Sequence, residues 1–181
     1  MRRIVLTFGL IAGAIMSAML VITLVLFRDV ELDRGAVVGY ASMVLAFLMV
    51  FVGVRNYRDT IAGGRIGFGR AFGVGLLITV VAIACYVVTW EIIYFNFAPE
   101  FGEKYASYAV EQARRAGADS AAIARTQQEM DAFLVRYRNP LFNAAITFLE
   151  PLPIGLLFAL VTGWLTSRRR GSAAAAASPT P

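Results

Sequence analysis

The chain has 181 residues, of which 59% are hydrophobic and 16% are charged, and its formal net charge is +5. Soluble domains carry roughly 25% charged and about 45–50% apolar residues, so this composition predicts a membrane protein. A single cysteine excludes an intrachain disulfide, and the lack of histidine removes the commonest metal ligand and general base. We therefore expect no enzyme, no cofactor and no metal site.

Four apolar runs are long enough to cross a bilayer, which takes about 20 helical residues. They cover residues 4–27, 35–54, 71–97 and 141–167. The first run is longer than the roughly 7–15 apolar residues of a signal peptide, so we expect an uncleaved span. The predicted fold class is all-α: a polytopic membrane protein with four transmembrane helices in one bundle, a single membrane domain over residues 1–170.

Arginines mark the ends of these runs and predict the topology. They gather at the N-terminus, between the second and third runs, and after the fourth run. The positive-inside rule then places both termini in the cytoplasm and the long loop on the outer side of the membrane. This distribution favours membrane lipids over nucleic acid as partners. The expected cytoplasmic anchors are Arg55, Arg58, Arg65, Arg70, Arg168, Arg169 and Arg170.

Residues 98–140 join the third and fourth runs, and we expect a periplasmic helical hairpin there. Apolar residues recur on helical faces in this segment, Gly117 suits a helix stop, and Asp119 or Ser120 can cap the helix that follows. The hairpin either covers the outer mouth of the bundle or docks a partner. The small and proline-rich residues 171–181 predict a disordered tail.

Small residues recur at four-residue spacing in three spans, which allows helix backbones to approach closely. The pairs are Gly9 with Gly13, extended by Ser17, then Gly35 with Gly39, and Gly69 with Gly73. This pattern favours packing inside the bundle, with an interface between two copies of the chain as the alternative. The loop around Gly67 lacks the third glycine of a dinucleotide-binding fingerprint, so we expect no nucleotide there.

Two carboxylates lie inside apolar runs, where an acid is costly. Glu91 lies in the third run and Glu150 in the fourth, both in the half nearer the long loop. Helical spacing gives each of them polar neighbours on the same face, and a tyrosine of the second run lies at comparable depth. The predicted intramembrane polar cluster is Glu91, Glu150, Tyr94, Thr147, Asn143 and Tyr40.

Two prolines follow Glu150 directly. Proline donates no backbone hydrogen bond and clashes with the carbonyl four residues earlier, so Pro151 and Pro153 should bend or break the fourth span. The polar cluster beside this break has three readings: a hydrogen-bonded network that holds the helices in register, a proton or cation path, or a pocket for a lipid or small ligand. The residues alone leave all three open.

Four segments together resemble a known family: residues 39–59 (GYASMVLAFLMVFVGVRNYRD), 63–75, 86–95 and 139–157. The chain looks like the bacterial membrane proteins of the domain-of-unknown-function family 4199, over nearly all its length apart from the tail. The resemblance implies a four-span bacterial inner-membrane protein of unassigned activity, so that with both termini in the cytoplasm the long loop is expected in the periplasm. It supplies no catalytic residues.

Two functional hypotheses follow. The first is a structural, interaction or assembly component of the bacterial envelope, with another envelope protein or a second copy as partner. Its basis is the lack of catalytic residue types and the ordered-looking loop. The second is a small proton- or cation-coupled transporter, or a ligand-binding membrane protein, that uses Glu91 and Glu150.

Overall fold

The computed structural model describes residues 1–26 and 32–167 of the chain, and every regular element among them is an α-helix. The predicted all-α class is confirmed. Arg168, Arg169, Arg170 and the tail lie outside the described residues. The helices are α1 (Arg2–Leu26), α2 (Leu32–Thr60), α3 (Phe68–Asn96), α4 (Phe101–Arg115), α5 (Ser120–Tyr137), α6 (Pro140–Leu149) and α7 (Leu152–Ser167).

Four stretches of helix are long and apolar enough to cross a membrane. They are Arg2–Leu24, Val37–Thr60, Phe68–Asn96 and Pro140–Ser167, the last made of α6 and α7 together. The chain is therefore a multi-pass membrane protein by length and composition. The second helix runs six residues beyond the predicted end at residue 54, because backbone hydrogen bonding continues where the apolar side chains stop.

The spans pack around α3. It contacts α1 and α7 most extensively, while α2 packs against α1 and α7 and more lightly against α3. The core between them is built from large apolar side chains that are fully buried, among them Phe47, Val50, Val54, Val74 and Ile78. These residues come from the second half of α2 and the first half of α3. We call this end of the molecule, which carries the α2–α3 loop, the arginine end.

Close contact between α1 and α3 depends on two glycines of α1. A Cβ added at Gly9 would lie 2.6 Å from Val81 Cβ, and one added at Gly13 would lie 2.6 Å from Cys85 Cβ. One turn further on, the Thr89 hydroxyl donates to the Ser17 hydroxyl at 2.8 Å. The first small-residue pattern thus packs inside the protein. At Gly35, Gly39, Gly69 and Gly73, no atom of the described residues lies within 4 Å of such a Cβ.

At the opposite end, α4 and α5 cover part of the structure, and we call this the cap end. Gly117 has a φ of +77°, which a glycine adopts without strain, and it ends α4. Asp119 then caps α5 by accepting a hydrogen bond from the Ala122 backbone N–H at 2.7 Å. The two helices pack against each other, and an exposed ion pair of 3.6 Å joins Arg138 to Glu103.

We predict that Gly13→Ala destabilises the fold and that Gly73→Ala does not. Both exchanges make the same change in helix propensity, so their difference isolates the α1–α3 contact. Overpacking a close contact typically costs about 1–3 kcal/mol. The measurement is thermal loss of helical circular dichroism in detergent for both variants. Equal midpoints would show that α1 and α3 do not meet at Gly13.

Candidate functional site

The last span is divided at Pro151. Helix α6 ends at Leu149 and α7 begins at Leu152, with Glu150 and Pro151 between them. Pro151 has no N–H to donate to the Thr147 carbonyl, and its side chain is fully buried. The Gly155 N–H restarts the helical pattern by donating to the Pro151 carbonyl at 3.0 Å. Pro153 lies in the first turn of α7, where a missing N–H costs nothing.

The two halves of this span have different neighbours. Helix α7 packs against both α2 and α3, whereas α6 packs against α3 and α5. Appreciable packing of α6 on α2 is absent from the described residues. The break therefore leaves a space at the cap end, between α6 and the first half of α2.

A cavity of about 1120 Å³ fills this space. Its walls come from α1, α2, α3 and α6, and from α4 and α5 at the cap end. Most lining side chains are apolar, with several methionines and aromatic residues. The cavity is partly open rather than sealed.

Beside the cavity, a hydrogen-bonded network joins α3, α5 and α6. The Trp90 indole N–H donates to the Tyr137 hydroxyl at 3.1 Å and to Asn143 Oδ1 at 3.0 Å. The Asn143 amide donates to the Tyr137 backbone carbonyl at 3.3 Å, and the Thr147 hydroxyl donates to Asn143 Oδ1 at 3.3 Å. All four side chains are buried. We call them the Trp90 network.

Local structure explains why α6 carries its part of this network. Asn139 caps α6 by accepting hydrogen bonds from the N–H groups of Leu141 and Phe142 at 2.9 and 3.4 Å. Pro140 follows at the first helical position, which suits its fixed φ. With this start, Asn143 and Thr147 lie one turn apart on the face toward Trp90. Burial raises the pKa of the Tyr137 hydroxyl, which therefore stays protonated at neutral pH.

Aromatic rings extend the network toward the cap. Tyr94 is buried and meets Tyr137 edge to face, with ring centroids 5.2 Å apart. Trp90 meets Phe101, the first residue of α4, edge to face at 4.9 Å. Such pairs add roughly 0.5–1.5 kcal/mol to the burial of the rings. The cap is thus attached to α3 through aromatic contacts.

Glu150 lies at a different point of the cavity, within hydrogen-bonding reach of the Tyr86 hydroxyl. The residue is exposed, and it lines the cavity. Tyr40, on α2, also lines the cavity and is 49% exposed. Of the six residues predicted to cluster, Glu150, Tyr40 and Thr147 line the cavity, while Asn143 and Tyr94 are buried next to it.

Glu91 is placed differently from the other five. It is not among the residues that line the cavity. Its Oε1 atom is buried and makes no hydrogen bond to the described part of the protein. The helical face of α3 that serves the site carries Tyr86, Trp90 and Tyr94, and Glu91 lies about 100° around the helix from Trp90.

The arginines predicted as anchors lie together at the arginine end where they are described. Arg58 pairs with Asp59 at 2.7 Å, and Arg55 lies 3.8 Å from the same carboxylate. Arg65 and Arg70 are exposed beside the turn formed by Gly63 and Gly64. Surface pairs of this kind add little stability.

Three residues of the site were not predicted from the sequence: Trp90, Tyr137 and Tyr86. Two of them carry a signal, since Tyr86, Trp90 and Tyr94 recur every four residues and so share one helical face. Tyr137 carries none, because it belongs to the loop between two spans. Within the described ranges, no group of three or more His, Cys, Asp or Glu side chains is arranged to hold a metal ion.

Fold and site together define an all-helical, multi-pass membrane protein with a cavity at one end. A family model described as "Protein of unknown function (DUF4199)" matches residues 7–168, and the chain belongs to this family. No curated protein and no solved structure matches the chain significantly.

We predict that Asn143→Ala lowers the free energy of unfolding by about 1–3 kcal/mol, because Trp90 and Thr147 lose their shared acceptor in a buried site. Asn96→Ala is the matched control. Asn96 is exposed, and within the described residues its side chain bonds the Ile92 carbonyl of its own helix and no other group, so its loss should stay within about 0.5 kcal/mol. Denaturant titration in detergent measures both, and equal losses would contradict a stabilising Trp90 network.

Proposed function

We propose that this protein binds a lipid-like amphiphile in the cavity between α2 and α6. The observation that carries the proposal is the cavity itself, about 1120 Å³ in volume, lined by four spans and partly open. Ordinary small-molecule pockets measure roughly 300–1,000 Å³. A larger, mostly apolar space among membrane spans suits a molecule with a long apolar tail.

The wall residues fit this occupant. Met16, Met19, Leu20 and Leu24 line the cavity from α1, and methionine and leucine adapt to flexible chains. Near the cap, Lys104 and Tyr105 of α4 also line it. Both side chains are amphipathic, so their apolar parts can contact a ligand's chain while their polar ends stay at the surface of the cap.

Binding is better supported than conduction. At the arginine end the spans close around fully buried Phe47, Val50 and Ile78. Glu91 and Glu150 do not line one common space. A proton or cation path through both acids would need a connection between them, and the cavity does not supply one.

The cellular setting is part of the same proposal. The arginines of the α2–α3 loop favour a bacterial inner membrane with cytoplasmic termini and a periplasmic cap. The cavity would then open to the periplasmic leaflet. The lack of histidine favours a binding protein over an enzyme.

We predict that Gly39→Phe removes most of the binding. Gly39 lines the cavity, and no atom lies within 4 Å of a Cβ placed there, so a phenylalanine enters the cavity without disturbing the helix. The measurement is labelling of the purified protein by a photoreactive long-chain alcohol, with the labelled peptides identified by mass spectrometry. Labels should concentrate on α1, α2 and α6 residues around the cavity.

Gly73→Phe is the matched control, because Gly73 is equally open but lies on α3 outside the cavity. It should leave the labelling pattern unchanged. Labelling spread evenly over lipid-facing residues would contradict the proposal. Crosslinked dimers joined through the cavity would show that a second copy of the chain occupies it.

An interaction or assembly role in the envelope is the second candidate. It is supported by the ordered cap, in which Gly102 of α4 lies against Leu134 of α5 and close to the Tyr94 hydroxyl. A simple linker between spans would not need such packing. Crosslinking in native membranes followed by purification should recover a partner protein. Recovery of this chain alone, where known complexes are captured, would count against the role.

A further inference from the structure

The floor of the cavity is formed by four residues, one from each span. The lining residues farthest from the cap end are Met16 on α1, Met43 on α2, Tyr86 on α3 and Glu150, which directly follows the end of α6. Three of these side chains are buried in the packed spans, and Glu150 exposes its surface to the cavity. The floor of a mostly apolar cavity therefore carries a carboxylate.

This carboxylate has unused bonding capacity. A carboxylate offers about four acceptor positions, and Tyr86 supplies one hydroxyl. Lys104 is the only basic side chain among the described residues that line the cavity. Lys104 belongs to α4 at the cap end, and its ammonium group lies 3.5 Å from a Glu100 carboxylate oxygen. Its charge is therefore paired with Glu100 and not with Glu150.

Acids within spans are paired where they persist, because an isolated charge is costly away from water. Here the described lining provides no cation at the floor. We infer that the occupant supplies it: the amphiphile bound in this cavity carries an amine, whose ammonium group lies against Glu150 and Tyr86 while its apolar tail runs along the walls toward the cap. The inference rests on the proposed function and specifies the ligand's chemical class.

The same geometry selects against other amphiphiles. A fatty acid or a phosphate-bearing head would place a negative charge against Glu150, and like charges in a poorly hydrated site repel. A long-chain alcohol can donate one hydrogen bond but brings no charge. A hydrogen bond to a charged group is roughly twice as strong as one between neutral groups.

The test compares competitors with identical tails on the purified full chain. Dodecylamine, dodecanol, dodecanoate and N-acetyldodecylamine each compete with the photoreactive alcohol. We expect dodecylamine to displace it at roughly tenfold lower concentration than dodecanol, the factor that corresponds to about 1.4 kcal/mol. N-acetyldodecylamine should behave like the alcohol, and dodecanoate should be the weakest.

Glu150→Gln should erase the amine preference and keep the alcohol bound. Glu91→Gln is the matched control, since it makes the same exchange at the cap end but outside the cavity. It should leave the preference intact. If both variants lose the preference for dodecylamine over dodecanol, that preference depends on the overall charge of the protein and not on Glu150. This result would overturn the inference.

The comparison of competitors on the wild-type protein tests the inference even without a variant. Equal displacement by amine and alcohol would overturn the amine assignment while leaving the cavity as an amphiphile site. A different result would overturn the proposed function and the amine assignment together: the label does not map to the cavity, and no competitor displaces it.

Discussion

The missing N–H of Pro151 is the constraint on which the rest of the cap end depends. Without it the last span cannot continue as one helix, and its two halves pack against different neighbours. Helix α7, at the arginine end, completes the core with α2 and α3. Helix α6, at the cap end, packs on α3 and brings Asn143 into the Trp90 network. The cavity is what remains beside α2 after this division, and Glu150 stands at the break where the cavity ends.

The network and the cavity depend on each other. Hydrogen bonds of Asn143 and Thr147 hold α6 to α3 and to the end of α5. Breaking them would leave buried polar groups without partners, which costs free energy. This fixes the distance of α6 from α2, and thereby the width of the space between them. On the other side of α3, Gly13 brings α1 into close contact. The walls on either side of α3 are thus set by tight packing, while α2 lines the remaining side with Gly35 and Gly39.

Much of this architecture could be predicted from the sequence, because composition and run length report directly on membrane solvation and proline reports on backbone bonding. The family was recognised from the same residues. The site was harder, since periodicity shows which residues share a face but not which faces meet. Asn143 and Thr147 share a face, but their partners Trp90 and Tyr137 come from another span and from the cap. Glu91 and Glu150 have similar depth, yet Glu91 turns away from the cavity because it is one residue off the Tyr86–Trp90–Tyr94 face.

The two tryptophans of the chain lie at opposite ends of the molecule. Trp90 is enclosed in the network near the cap, while Trp164 lies near the end of α7 and is 49% exposed, next to Gly163, which packs on Phe68 and Phe72 at the start of α3. Of the two indoles, Trp164 is therefore the one that an added quencher can reach. A quencher that cannot cross the bilayer will reach it only from the side that carries the arginine end, so quenching of the intrinsic fluorescence reports the orientation of this protein without an added label.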